Sequence, residues 1–143
     1  MRRGRRLSGR NMIIIDANIV LRYVLDDHPV LSPKAATIIE QQSVTLPIEA
    51  ACEVVYVLQK VYKVDRPQIQ LHLSNLVNQH LILIEKTDVF LKALECYSTT
   101  MLDFVDTVLW AYHAVEHHDV LTFDDKLRKH IRRTDAGVKD TAG

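Results

Sequence analysis

The chain has 143 residues, of which 48% are hydrophobic and 25% charged, as is usual for one soluble globular domain. The first eleven residues hold five arginines and no acid, so the rest of the chain sets 18 acidic residues against 13 basic ones, a net charge of −5. This balance argues against a protein that binds nucleic acid through one broad basic face. The longest apolar runs are too short for a membrane span, so no membrane association is expected.

We predict three parts: a basic, disordered extension at residues 1–11, a folded domain over residues 12–133, and a polar, frayed tail over residues 134–143. The alternative for the extension is an arm that binds nucleic acid. Cys52 and Cys96 lie in apolar helical patterns and not at zinc-site spacing. We therefore expect reduced core cysteines and a cytoplasmic protein.

Strand predictions alternate with helix predictions along the chain. Apolar runs predict strands at Met12–Ile15, Val44–Leu46, Leu81–Ile84 and Asp119–Phe123, with Ala136–Val138 as the one candidate for a fifth. Apolar periodicity and capping residues predict helices at about 19–25, 32–42 (starting at Ser32-Pro33), 48–62, 66–79, 87–97, 103–117 and 126–133. This alternation predicts an α/β domain with three layers, in which helices cover a central, mostly parallel sheet of four to five short strands.

Four acids occupy positions that are unusual for a charged side chain. Asp16 directly follows the first apolar run, and Asp124 directly follows Val120–Phe123. Glu53 is the only charge between Ala50 and Leu58, and Asp106 lies one turn after Asp103 on the same helix. Ligands of open α/β sheets bind outside the carboxyl ends of the strands, which is where Asp16 and Asp124 are predicted.

Carboxylates that converge on one crevice repel each other and raise each other's pKa, and a buried one must be paired, protonated or bound to metal. A divalent cation such as Mg²⁺ or Mn²⁺ removes that difficulty, because both prefer oxygen ligands. Such an ion activates water and stabilises charge on a phosphoryl group. The acids therefore favour a phosphodiester-cleaving centre.

Each acid also has a simpler interpretation. Asp16, Asp103 and Asp124 are placed to cap helices. Glu53 could pair with a basic residue of the core, and Asp106 could be an early-turn acid that the helix dipole favours. The basic residues Arg22, Lys126, Arg128 and Lys129 could contact RNA phosphates or form an ordinary solvated surface.

The segment Ile14–Arg22 resembles the opening of PIN domains, and particularly of VapC-type toxin ribonucleases of type II toxin–antitoxin systems. In the same resemblance, Glu53 matches the second acid, Asp106 the third and Asp124 the fourth. The resemblance covers Met12 to Ile131. Thr107, where alanine is common, and the arginine-rich start depart from the family pattern.

The resemblance implies a Mg²⁺- or Mn²⁺-dependent endoribonuclease that acts on RNA, is inhibited by a cognate antitoxin and forms homodimers. It implies that Asp16 and Asp106 are the main metal ligands. Glu53 and Asp124 would complete the acidic pocket and assist proton transfer. Asn18 and Thr122 look like polar helpers around these acids, and Asp103 is a further supporting candidate.

Two other function classes stay open at this point. One is a PIN-like module that binds RNA or protein without catalysis, against which the four intact acids argue. The other is a receiver-type phosphoacceptor domain, which needs an Asp at the end of a central strand. The run Leu81–Ile84 leads into Glu85-Lys86 with no such Asp, so this class is disfavoured.

Overall fold

A computed structural model describes residues 13–142, with side chains as far as Gly137, so the extension predicted at residues 1–11 lies outside the described residues. The elements are β1 (Ile13–Ile14), α1 (Ala17–Leu25), α2 (Leu31–Gln41), β2 (Val44–Thr45), α3 (Ile48–Lys60), α4 (Arg66–Asn78), α5 (Thr87–Thr99), α6 (Phe104–Glu116) and α7 (Asp125–Ala142). They form two compact units, an N-terminal unit that ends at Thr87 and a C-terminal unit that begins at Asp88.

The N-terminal unit contains a small parallel sheet. Strand β1 pairs with β2, so that Ile13 lies opposite Val44 and Ile14 lies opposite Thr45. Thr45 also forms a single parallel bridge with Leu83. Helices α1 and α2 connect the two strands, as a parallel connection requires. The α/β class is confirmed, although the fold is mostly helical.

The prediction of four to five strands is wrong for the described residues, which form only β1 and β2. In the run Leu81–Ile84, Ile82 and Ile84 are buried as expected, yet only Leu83 pairs with the sheet. The chain enters this run from a left-handed residue, His80, and the Leu81 amide still bonds to the carbonyl of α4 residue Leu76. Too few residues are therefore free to extend a ladder.

The strand predicted at Asp119–Phe123 is also absent from the structure. Leu121 and Phe123 are 97% and 100% exposed, although a strand of a covered sheet would bury them. The segment is short and both of its ends are fixed by helix caps, since His117 ends α6 in the left-handed conformation and Asp124 caps α7. Apolar composition alone does not supply a strand partner.

The last helix is longer than predicted, because α7 continues past Arg133 through the candidate strand Ala136–Val138. Two contacts with α6 hold it there. The Trp110 indole N–H donates to Thr134 Oγ1 at 2.8 Å, and His113 Nε2 lies 2.7 Å from Asp135 Oδ1. The predicted helix end at Arg133 is therefore wrong, while the division into domain and tail stays a prediction.

Helix α2 begins one residue before the predicted start at Ser32-Pro33. The side chain that serves its first turn is His28, whose Nδ1 accepts the amide protons of Val30 and Leu31 at 3.2 and 2.9 Å. Ser32 is buried and donates to the Arg22 carbonyl at 2.7 Å, which ties α2 to the end of α1. Ser32 therefore links the two helices and does not cap α2.

Each unit has its own apolar core. In the C-terminal unit, Phe104 at the start of α6 meets Phe90 and Tyr97 edge to face, with ring centroids 5.9 and 5.6 Å apart. Cys52 and Cys96 are free thiols; Cys96 is buried, as the sequence predicts, whereas Cys52 is only partly buried, so its prediction as a core residue is wrong. Within residues 13–142, no helix has the length and apolarity that crossing a lipid bilayer requires.

The Trp110–Thr134 contact provides a stability test of the extended α7. Replacing Thr134 by Val keeps the side-chain shape but leaves the buried indole N–H without its acceptor, so we expect the free energy of unfolding to fall by about 1–2 kcal/mol. Urea unfolding measures the change. Thr134→Ser retains the hydroxyl and should cost less, whereas equal stability of wild type and Thr134→Val would show that this part of α7 does not pack.

Candidate active site

Asp16 lies just beyond β1, where the chain leaves the sheet and enters α1. It occupies the N-cap position with extended backbone, and its Oδ1 accepts the Ile19 amide proton at 3.2 Å. No described residue donates to the other carboxylate oxygen. Asp16 is therefore a helix cap, as its simpler interpretation required, and its second oxygen stays available to a ligand.

A cleft of about 720 Å³ in the N-terminal unit brings Asp16 together with Glu53. Glu49 lies in the same cleft, one turn before Glu53 on α3, while the aliphatic side chains of Ile15 and Ile19 contribute its apolar wall. The Glu53 side chain is exposed and has no salt-bridge partner among the described residues. The simpler interpretation of Glu53, as the partner of a basic residue in the core, is therefore wrong.

A second group of acids lines a cavity of about 290 Å³ in the C-terminal unit, which we name the acidic cavity. Its charged lining comes from the starts of α6 and α7: Asp103, Asp106, Asp124, Asp125 and Lys126. Both helices therefore direct their N-terminal turns, and the positive ends of their dipoles, to the place where the carboxylates accumulate.

Asp124 is held by its own helix. Its Oδ1 accepts the Leu127 amide proton at 2.8 Å, and its amide donates to Thr122 Oγ1 at 3.0 Å. Asp103 occupies the N-cap position of α6, but its side chain makes no capping bond, and only its carbonyl accepts the Thr107 amide. The Asp103 carboxylate thus does not cap the helix and instead lines the acidic cavity.

Asp106 is the one predicted acid that is partly withdrawn from water, since the side chains of Asp16, Glu53 and Asp124 are all exposed. Burial raises the pKa of Asp106 above its ordinary value, and the charges of Asp124 and Asp103 raise it further. The predicted repulsion between converging carboxylates is therefore present around Asp106.

The structure groups the predicted acids in two sets, Asp16 with Glu53 in the N-terminal unit and Asp103, Asp106 and Asp124 in the C-terminal unit. Over residues 13–142, no three His, Cys, Asp or Glu side chains are arranged so that they could hold a metal ion by themselves. An ion at either set would keep water ligands, as Mg²⁺ commonly does.

The predicted polar helpers differ in their surroundings. Thr122 contacts Asp124 through the bond described above, whereas Asn18 is exposed on α1 and is not part of the cleft lining. Arg22 donates to Asp27 and to the Tyr62 hydroxyl, each at 3.1 Å. Its guanidinium is therefore held by its own unit.

The predicted basic residues of α7 fall on different sides of the helix. Arg128 pairs with Asp125. Lys126 lines the acidic cavity, and both Lys126 and Lys129 line a second cavity together with His130 and Arg133. Whether any of them contacts RNA stays a prediction.

Five polar residues that line these cavities were not predicted from the sequence: Glu49, Thr100, Asp125, His130 and Arg133. Helical spacing is the signal that would have found two of them, since Glu49 precedes Glu53 by four residues and Arg133 follows Lys129 by four. Neither residue is an isolated charge in an apolar run, because Glu49 lies near the helix start, two residues after Pro47, and Arg133 lies in a basic run.

Comparison with known proteins identifies a family. The family model of the PIN domain matches residues 13–132, which is most of the chain and includes all four predicted acids. No curated protein and no solved structure matches the chain.

The raised pKa of Asp106 predicts that this acid costs stability. Because its pKa is higher in the folded chain than in the unfolded one, the folded state binds the proton more tightly and loses stability as the pH rises through the interval between the two values. We therefore expect Asp106→Asn to raise the free energy of unfolding at pH 7, and the gain to shrink as the pH falls towards 3.8, the ordinary value.

Asp125→Asn is the matched control in urea unfolding from pH 4 to pH 8. The Arg128 side chain lowers the pKa of Asp125, so ionisation of this exposed acid favours folding and its removal should not stabilise the chain. A destabilised Asp106→Asn variant at pH 7, or equal gains for both variants, would contradict the proposed repulsion.

Proposed function

Because the chain belongs to the PIN domain family, whose fold is in general that of a metal-dependent nuclease, we propose that it is an endoribonuclease. It cleaves RNA phosphodiester bonds through an acidic Mg²⁺ or Mn²⁺ site. The observation that carries this proposal is the acidic cavity, in which a partly buried Asp106 faces the charges of Asp103 and Asp124.

The residues present fit a hard divalent cation. The acids offer carboxylate oxygens and no thiolate or imidazole, a donor set that favours Mg²⁺ or Mn²⁺ over zinc or copper. Asp106 would be the main ligand in the acidic cavity, with Asp124 completing the set directly or through water, and Asp16 would be the main ligand in the cleft of the N-terminal unit, with Glu53 beside it. When bound, such an ion supplies Lewis-acid stabilisation of phosphoryl charge and lowers the pKa of water.

The protein's own residues prepare the site for that ion. The Ile19 and Leu127 amides each fix one carboxylate oxygen, of Asp16 and of Asp124, and so orient both side chains at helix starts. Burial raises the pKa of Asp106, and the charges of Asp124 and Asp103 raise it further, which is repulsion that a cation would relieve. The exposed Glu53 carboxylate is suited to accept a proton from the attacking water.

We also propose that the protein is the toxin of a toxin–antitoxin pair, that a cognate antitoxin inhibits it and that it forms a homodimer in the cytoplasm. The similarity of Ile14–Arg22 to VapC-type toxins supports this proposal. Growth arrest on induction, relieved by Asp106→Asn, tests the toxin role, and light scattering of the purified chain tests the dimer.

Cleavage of a mixed RNA pool tests the enzyme. We expect cutting with Mg²⁺ or Mn²⁺ and none with EDTA, and a loss of about a hundredfold or more in Asp16→Asn and in Asp106→Asn, because each variant removes a ligand of an ion that stabilises the transition state by several kcal/mol.

Asp88→Asn is the matched control, since Asp88 is an exposed acid in the first turn of α5 and belongs to neither acidic set. It should cleave like the wild type. Metal-independent cutting, or equal rates for Asp88→Asn and Asp106→Asn, would contradict the proposal. Absence of both cutting and metal binding in the wild type would leave a non-catalytic binding module.

A further inference from the structure

A second cavity of the C-terminal unit, which we name the basic cavity, carries cations and no acid. It has a volume of about 290 Å³. Its polar lining consists of Thr100, Lys126, Lys129, His130 and Arg133. On α7, Lys129 and His130 follow Lys126 by three and four residues, and Arg133 follows them by four and three, so these four residues form one face of that helix. The basic cavity is therefore a concave surface with three positive charges.

Carboxylates lie near two of these cations but form no salt bridge with them: Lys126 also lines the acidic cavity, and the Lys129 charge lowers the pKa of Asp125. No described acid lies within salt-bridge distance of Lys126, Lys129 or Arg133, whereas Arg128 on another side of α7 pairs with Asp125. Like charges one turn apart on a helix repel each other. A surface that holds three of them around a cavity is suited to an anion.

His130 forms the less exposed part of this surface. Its Nε2 lies 3.4 Å from Cys96 Sγ, and its ring centroid lies 5.0 Å from that of Trp110. Burial lowers the pKa of His130, and the Arg133 charge lowers it further. The imidazole therefore adds a fixed polar group and not a fourth charge.

The basic and acidic cavities are neighbours. Met101, Leu102 and Lys126 line both of them. An anion in the basic cavity would thus be next to the cavity that Asp103, Asp106 and Asp124 line, and the charges of these acids repel a free anion. An extended chain of phosphates, bound at several points, can tolerate that neighbourhood.

We propose that the basic cavity binds a phosphate group of single-stranded nucleic acid, next to the phosphodiester that is cleaved. This assignment rests on the proposed nuclease function and adds Arg133 and His130 to its substrate contacts. Arg133 supplies a planar fork that matches phosphate oxygens, Lys129 a point charge, and Thr100 a hydroxyl. Arg128 is excluded, because it does not line the cavity and is paired with Asp125.

Binding of a labelled twelve-nucleotide RNA in EDTA, followed by fluorescence anisotropy at several salt concentrations, tests the proposal without cleavage. Arg133→Gln should weaken binding about fivefold or more and reduce the slope of log affinity against log salt by about 0.7, the value for one phosphate contact on a single strand. Lys129→Gln/Arg133→Gln should reduce the slope by about 1.4.

Arg132→Gln is the matched control, since it removes the same charge from the adjacent, exposed position of α7 outside the cavity lining. It should bind within twofold of wild type. Equal weakening in Arg132→Gln and Arg133→Gln, or no RNA binding by the wild type, would overturn the proposal. Should the double variant unfold, the two single variants provide the same comparison.

Competitors identify the ligand chemistry. Single-stranded DNA of the same sequence should compete for the cavity, since the phosphate is recognised, whereas inorganic phosphate, a free anion that the neighbouring acids repel, should compete only weakly. Polyglutamate that binds as tightly as RNA and loses the same affinity in Arg133→Gln would assign the cavity to acidic protein and overturn the proposal.

The cleavage assay separates the two proposals. Loss of RNA affinity in Arg133→Gln together with a wild type that never cleaves would refute the nuclease and retain the phosphate site. Metal-dependent cleavage with equal affinities for Arg132→Gln and Arg133→Gln would retain the nuclease and refute the phosphate site.

Discussion

Repulsion among the carboxylates around Asp106 is the constraint on which the chemistry of the C-terminal unit depends. Asp106 is partly withdrawn from water while Asp103 and Asp124 add negative charge beside it, and its pKa rises as a result. A protein selected for stability alone would have no reason to keep three acids there. The arrangement becomes favourable when a divalent cation binds, because the ion reverses the sign of each of these interactions.

Helix starts allow the acids to be held in this costly arrangement. Asp124 gives one oxygen to the Leu127 amide, and Asp16 gives one to the Ile19 amide, so capping orients a carboxylate and still leaves an oxygen for a ligand. Contacts far from the cavity fix α7 itself, above all the bond between Trp110 and Thr134. The two interpretations of such an acid, as a helix cap and as a metal ligand, are therefore compatible.

The sequence predicted the helices well because apolar periodicity and caps are local signals. It predicted the sheet poorly, since a strand needs a partner that the local sequence does not specify. Leu121 and Phe123 show this most clearly, for their apolar run is exposed and unpaired within the described chain. Likewise the four acids could be found from their isolation in apolar runs, but the exposure of Glu53 and the clustering of Arg133 with Lys129 depend on which faces the helices bury.

Thermal unfolding at increasing Mn²⁺ concentration, at neutral pH and without RNA, tests the central claim most directly. A cation that binds the folded acids raises the midpoint by mass action. We expect the midpoint of the wild type to rise with Mn²⁺, and that of Asp106→Asn, although higher in the absence of metal, to stay constant. A wild-type midpoint that does not respond to millimolar Mn²⁺, or an equal rise in Asp106→Asn, would contradict a metal site built on the acids around Asp106.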